Sequence, residues 1–354
     1  MSYDNKFFKY GTAVLLVLLI LFFLGKVDYL MTPIQAILFT IFLPLVFSGL
    51  FYYLFRPIVR IMDKWMPKVL AIIVLYVLLI GLLSGIVYFA GDSIAKQFND
   101  LANSVPQDLE KVDKKTEDVV QENNFGLVSY EEVKNKAISY FAELARGIGN
   151  NIMGIVSMAA SVATVMIVIP FILFYLLRDD YKLAPHVLNF IPKKHHEEGR
   201  EILHDLDETL STYIVGQVIV AMIVGVLTFI GFWIIGLKYG LLLAIFAMVM
   251  DIVPFLGPFI GIIPAVVVAL MSSPMMLLKV VIVFIVVQQL EGNLITPQVM
   301  GKKLSLHPVT VILVIMAAGS VFGFFGILLA VPFYASAKEI VVNFRRFYKL
   351  RHAD

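Results

Sequence analysis

The chain has 354 residues, of which 60% are hydrophobic and 15% charged, and a formal net charge of +2. A soluble domain carries roughly 45–50% apolar and 25% charged residues, so this balance predicts an all-α, polytopic membrane protein whose first partner is the lipid bilayer. The small net charge gives no reason to expect nucleic acid as a partner, and the absence of cysteine excludes disulfides, thiolate catalysis and cysteine-ligated metal or haem sites.

A hydrocarbon core of about 30 Å takes about 20 apolar residues of helix, and the uncharged runs supply them. Residues 1–91 hold three such runs, 10–25, 29–55 and 69–91. The first follows Lys6 and Lys9 and passes into Gly25, Lys26 and Asp28 without a small-x-small cleavage site, so it reads as a retained span. Arg56, Arg60, Lys64 and Lys68 lie between the second and third runs. By the positive-inside rule that loop is cytoplasmic, and so is the N-terminus two crossings away. Residues 92–146 break the apolar pattern, with Ile94, Phe98, Leu101, Val105, Leu109 and Val112 at spacings of three or four and a similar piece at 131–141. This spacing predicts an extracytoplasmic amphipathic helical segment that connects spans or packs against the membrane or a partner subunit. Residues 147–177 make a fourth span, kinked at Pro170, and residues 178–208 a charged cytoplasmic loop. The loop's His186, His195, His196 and His204 lack the spacing of a metal site, so none is expected there.

Residues 209–337 read as a transport core. Gly216, Gly225, Gly231 and Gly236 predict a fifth span packed inside the bundle. The next stretch, D-I-V-P-F-L-G-P-F-I-G-I-I-P from Asp251 to Pro264, sits in the middle of uncharged sequence. Pro254, Pro258 and Pro264 each remove a backbone donor, Gly257 and Gly261 lie between them, and the freed carbonyls must face protein or water. A kinked crossing and a re-entrant pair both satisfy this. Residues 280–290 are too short to span and read as a half helix. They lead to E-G-N-L-I-T-P-Q-V-M-G, Glu291 to Gly301, with a second carboxylate and breaks at Gly292 and Pro297. Gln288, Gln289, Asn293, Thr296 and Gln298 supply hydrogen-bonding groups around it. Two interrupted segments, each with one acid, point to a substrate or ion pathway. Asp251 also reads as the cap of a half helix starting near Ile252, and Glu291 as a group at the membrane surface. In the last run, 304–337, Gly319, Gly323 and Gly326 recur three or four apart, predicting a bare helix face for packing or a hinge, ended by Pro332. Residues 338–354 form a basic tail, cytoplasmic after eight crossings.

The Asp251–Pro264 motif, the run E-G-N-L-I-T-P-Q-V-M-G-K-K-L-S-L-H-P and the run G-S-V-F-G-F-F-G-I-L-L-A-V-P occur in that order. Together they resemble the autoinducer-2 exporter family, a permease family of bacterial inner membranes, and the resemblance covers the whole chain. It implies a transport protein without cofactor, assembled as a homo-oligomer such as a pentamer, whose mobile part is the C-terminal motifs. Some members export a small furanosyl signalling molecule and others exchange sodium or lithium for protons. Two functions follow. The first is a secondary exporter of a small polar molecule such as autoinducer-2, held by the polar side chains and Pro-broken backbone. The second is a monovalent cation/proton antiporter in which Asp251 and Glu291 alternate between the two ions. An enzyme is not expected, since H-E-x-x-H, G-x-S-x-G and cysteine are all missing, and no P-loop is encoded, so uphill transport would draw on an ion gradient.

Overall fold

The computed structural model describes residues 10–12, 14–19, 28–119, 167–301 and 307–351. The piece at 131–141, the start of the fourth span, Lys6, Lys9 and residues 302–306 lie outside the described residues. Ten helices follow residue 28: α1 (Asp28–Met62), α2 (Lys68–Val119), α3 (Ile167–Arg178), α4 (Asp180–Leu188), α5 (His196–Ile234), α6 (Gly240–Met250), α7 (Leu256–Ser272), α8 (Pro274–Leu290), α9 (Thr296–Met300) and α10 (Pro308–Arg351). Among the described residues there is no strand, and five helical stretches are long and apolar enough to cross a bilayer. This is the all-α, polytopic architecture that composition demands.

Helices α1, α2 and α3 form one body. Tyr52, Val59, Ile72, Leu75, Leu173 and Leu177 are buried together, and two side chains tie α3 down by its backbone. Ser48 Oγ donates to the Ile169 carbonyl at 3.1 Å and the Tyr76 hydroxyl to the Pro170 carbonyl at 2.6 Å. At the corner between α3 and α4, Asp179 accepts from Arg178 at 2.7 Å and Lys182 at 3.0 Å. The Arg178 guanidinium, more than Lys182, holds the Asp179 carboxyl below the usual carboxylate range.

Helix α2 runs for 52 residues, about 78 Å at 1.5 Å per residue, so the third span continues without a break into the amphipathic segment. Part of that segment's apolar stripe packs on the chain's own core. Leu101 is buried with Phe232, Leu237 and Leu243, and Gln97 Oε1 accepts the Leu242 N–H at 3.3 Å. That N–H belongs to the first turn of α6, whose donors have no partner within the helix. Phe98 of the same stripe is 58% exposed and points away.

Helix α5 is the axis of the C-terminal half, and its glycines explain why. A Cβ at Gly225 would lie 2.6 Å from Met248 Cβ, one at Gly216 would lie 2.9 Å from Met300 Cγ, and one at Gly231 would strike Val283. Bare backbone at these three levels therefore lets α6, α9 and α8 approach α5 closely. The helix ends in a glycine cap: Gly236 has φ +69°, its N–H bonds the Trp233 carbonyl, and the Leu237 N–H reaches back to Phe232.

Two helical hairpins flank α5. In the first, α6 and α7 run antiparallel: a Cβ at Gly257 would strike the Met250 carbonyl, and one at Gly261 would sit 3.0 Å from Ala247 Cα. The Asp251–Pro264 motif is thus a re-entrant pair and not a kinked crossing, with its tip at 251–255. The second hairpin lies inside α10, where Gly323 takes φ 59°, ψ −142° and turns the chain back. A Cβ at Gly326 would strike the Ala318 carbonyl and one at Gly319 would lie 2.9 Å from Ile327 Cγ1, so the arms Pro308–Gly323 and Phe325–Asn343 pack on each other. This departs from the expected single helix with three glycines on one face, because Gly323 makes the turn and the other two close the gap between arms.

The hairpins enter from opposite ends of α5. The first starts beyond Ile234, whereas the second returns to Asn343, whose amide donates to Asp205 near the other end at 3.1 Å. The tip of the first and the arms of the second share one buried cluster with the middle of α5: Tyr213 and Ile214, Val253 from the first hairpin, and Ile315, Ala330 and Val331 from the second. Between them in sequence, α8 and α9 form one continuous 27-residue crossing. Gly292 does not interrupt it; residues Glu291–Ile295 make a π-helical turn, a form that accommodates an extra residue without ending the helix.

Candidate functional site

The site begins at the tip of the first hairpin. Asp251 ends α6 and is 1% exposed. It does not cap the returning helix, which starts five residues later at Leu256 behind Phe255, and its Oδ2 has no hydrogen-bond partner. Phe255 makes the turn with φ 63°, a left-handed conformation that costs a side-chain-bearing residue of order 1–3 kcal/mol. The tip is held from α5: the Gln217 amide donates to the Asp251 carbonyl at 2.7 Å. A tip carbonyl that ends its helix thus finds a donor on a neighbouring helix.

Beside Asp251, helices α5, α6, α7 and α8 leave a cavity of ≈ 20 Å³, room for about one water molecule. Its polar lining is Asp251, Thr228 and Gln288; the remainder is apolar and includes Val224, Phe232 and Phe284. Glu291, three residues beyond Gln288, is half-buried at the start of the π turn, with its Oε2 left unpartnered. Among the described residues, no lysine, arginine or histidine lines the cavity.

The other residues singled out in the sequence fall into three places. Pro258 lines the cavity, Gly257 and Gly261 sit between α6 and α7, and Pro254 and Pro264 are half-buried in the same hairpin. Gln289, Gly292, Asn293, Pro297 and Gln298 lie on the exposed side of α8 and α9, where the Asn293 amide donates to Gln289 Oε1 at 2.7 Å; Thr296 is half-buried. Gly319, Gly323, Gly326 and the buried Pro332 belong to the second hairpin. Sequence reasoning passed over Gln217 and Thr228. Their signal was two polar residues in an otherwise uncharged span, on the helical face completed by Ala221 and Val224, which are buried with them. Arg56, which the sequence offers only as a loop charge, lies in α1, buried against the Tyr52 and Tyr53 rings and paired with Asp207 of α5 at 2.6 Å.

Opposed hairpins with a buried carboxylate at one tip are an arrangement found in membrane transporters. The chain belongs to the AI-2E transporter family, whose AI-2E family transporter profile matches residues 12–346. It is 37% identical to YueF of Bacillus subtilis over 98% of this chain and 96% of that protein. It is 32% identical to YrrI of the same organism over 94% of each, and 26% identical to the permease PerM of Escherichia coli over 51% of this chain and 52% of PerM. All three carry names given by inference, which state transport or permeation without a substrate. The protein is therefore a multi-pass transporter of the bacterial membrane.

Proposed function

We propose that the protein exchanges a monovalent cation for a proton, with Asp251 and Glu291 as the groups that hold them. The observation that carries this reading is the unpartnered oxygen of Asp251, 1% exposed on a cavity with no basic side chain among its described lining residues, with a second unpartnered carboxylate oxygen on Glu291 at the start of the π turn. Negative charge in such a place needs a counter-charge, and a proton or a small cation supplies one in turn. A cavity of ≈ 20 Å³ suits such an occupant. Opposed hairpins fit the task as well, since each can open a path from its own side to the same point on α5. In this arrangement both termini and residues 178–208 face the cytoplasm, the far end of α2 faces outward, and the α6–α7 hairpin enters from outside.

A second reading keeps the small organic cargo to which the family's description refers, autoinducer-2. The feature in its favour is the exposed polar face of Gln289, Asn293 and Gln298, which offers hydrogen bonds outside the cavity, against the apolar faces around it or in a homo-oligomer. Proteoliposomes separate the two. Adding sodium or lithium outside vesicles that contain a pH dye should move protons in the antiporter. Labelled autoinducer-2 flux with no cation-driven pH change would favour the second reading and discard the first.

A further inference from the structure

We infer that Thr228 is a direct ligand of a single, largely dehydrated monovalent cation in the cavity between α5 and α8, completing a site with the Asp251 carboxylate and the Gln288 side-chain carbonyl. The inference rests on the cation-exchange reading and adds to it the atoms that hold the ion.

The cavity brings exactly three kinds of oxygen-bearing side chain together, one from each of three elements, and everything else on its wall is apolar. Thr228 is 8% exposed and lies on α5. A helical threonine can donate its hydroxyl proton to the carbonyl four residues back, which leaves its oxygen lone pairs for another partner. Gln288, half-buried, lines the cavity from α8, and its side-chain carbonyl offers an oxygen acceptor there. Asp251 adds an oxygen with no partner in the protein, 1% exposed. Three hard oxygen donors in a space for one water-sized particle match a bare alkali cation better than an organic molecule. The cavity itself holds one carboxylate, so one positive charge balances it. A buried water is the competing occupant, and it would need no charge balance.

The test uses the full chain, purified in detergent and in proteoliposomes, with radioactive sodium as probe. Wild type should bind sodium saturably, with lithium competing and choline not. Thr228→Val removes the oxygen at nearly constant shape and should weaken sodium binding about tenfold or more, while Thr228→Ser should restore it to within about threefold. Gln288→Met, similar in length but without the carbonyl, should weaken it too. Both variants should elute and melt like wild type. Wild-type sodium affinity in Thr228→Val would overturn the ligand set and leave cation-driven proton flux standing. Absence of sodium binding and of cation-driven flux in wild type would overturn the ligand set together with the exchange reading.

Discussion

The two hairpins solve one geometric problem with different chemistry. Each brings two helix arms together by placing a glycine where a side chain would strike a carbonyl of the other arm, Gly257 against Met250 and Gly326 against Ala318. Their tips diverge. The first turns on Phe255 in a left-handed conformation and carries a buried carboxylate anchored by Gln217; the second turns on Gly323 and offers apolar neighbours such as Phe325, which packs edge-on against Phe47 of α1. The difference teaches a division of labour: a strained, polar tip suits binding, and a permissive glycine tip suits movement. The two bases differ in kind as well. Gln97 on the long α2 meets the first, and the second is held at Asp205 by Asn343, two residues along α5 from the Arg56–Asp207 pair.

The largest effect expected is on hairpin closure. Gly257→Val and Gly326→Val each force a side chain into backbone, where overpacking costs about 3 kcal/mol or more because no flexible neighbour can give way. Both should fail to give monodisperse protein on size exclusion. Normal elution and an unchanged melting temperature for either would mean that its hairpin does not close as described. Next comes the anchor of the second half. Arg56→Ala strands Asp207, and because that carboxylate is 40% exposed the loss should be about 1–3 kcal/mol and not the larger value of a fully buried pair. A thermal-shift assay reads it, and no change would make the pair incidental. Gln217→Leu should cost a similar or smaller amount, about 1–2 kcal/mol, by leaving the Asp251 carbonyl unpaired, and should lower transport more than Arg56→Ala at equal stability.

The smallest effects compare the tips directly and have opposite signs. Gly323→Ala meets open space but must hold φ near +59°, a loss of about 1–2 kcal/mol. Phe255→Gly relieves a positive φ and should leave stability unchanged or raise it by up to about 1 kcal/mol, even though a half-exposed ring is lost. Two losses of equal size would remove the strain argument for the first tip.

Much of this was legible in the sequence, for reasons that can be named. Proline density and isolated acids marked residues 251–264 and 291–301 because missing donors in hydrocarbon demand an unusual backbone. What those donors could not reveal was direction, since a kinked crossing and a hairpin free the same carbonyls. The outcome rests on Gly257 and Gly261 meeting Met250 and Ala247, contacts distant from any local rule. The half helix expected at 280–290 is longer than its uncharged run. The helix starts at Pro274 behind Ser273, whose Oγ accepts the Met276 N–H at 3.1 Å, and the exposed Lys279 rides on its surface, long enough to snorkel. In sequence Gly323 suits a packing face or a hinge equally well, and the structure gives it the turn while Gly319 and Gly326 take the contact. Asp92 was taken as the end of the third span, but charged residues such as Asp92 and Lys96 are no bar to helix, and α2 passes through them.

The central claim is that Asp251 at the first tip does chemistry that the second tip does not. The direct measurement is cation-driven proton flux in proteoliposomes for Asp251→Asn beside Gly323→Ala, each matched to wild type for assembly. Asn keeps the size and hydrogen bonding of Asp and cannot carry a charge, so the account predicts an assembled protein with no coupled flux, whereas Gly323→Ala should slow turnover and leave the half-saturating cation concentration unchanged. Coupled flux at the wild-type rate in Asp251→Asn would contradict it.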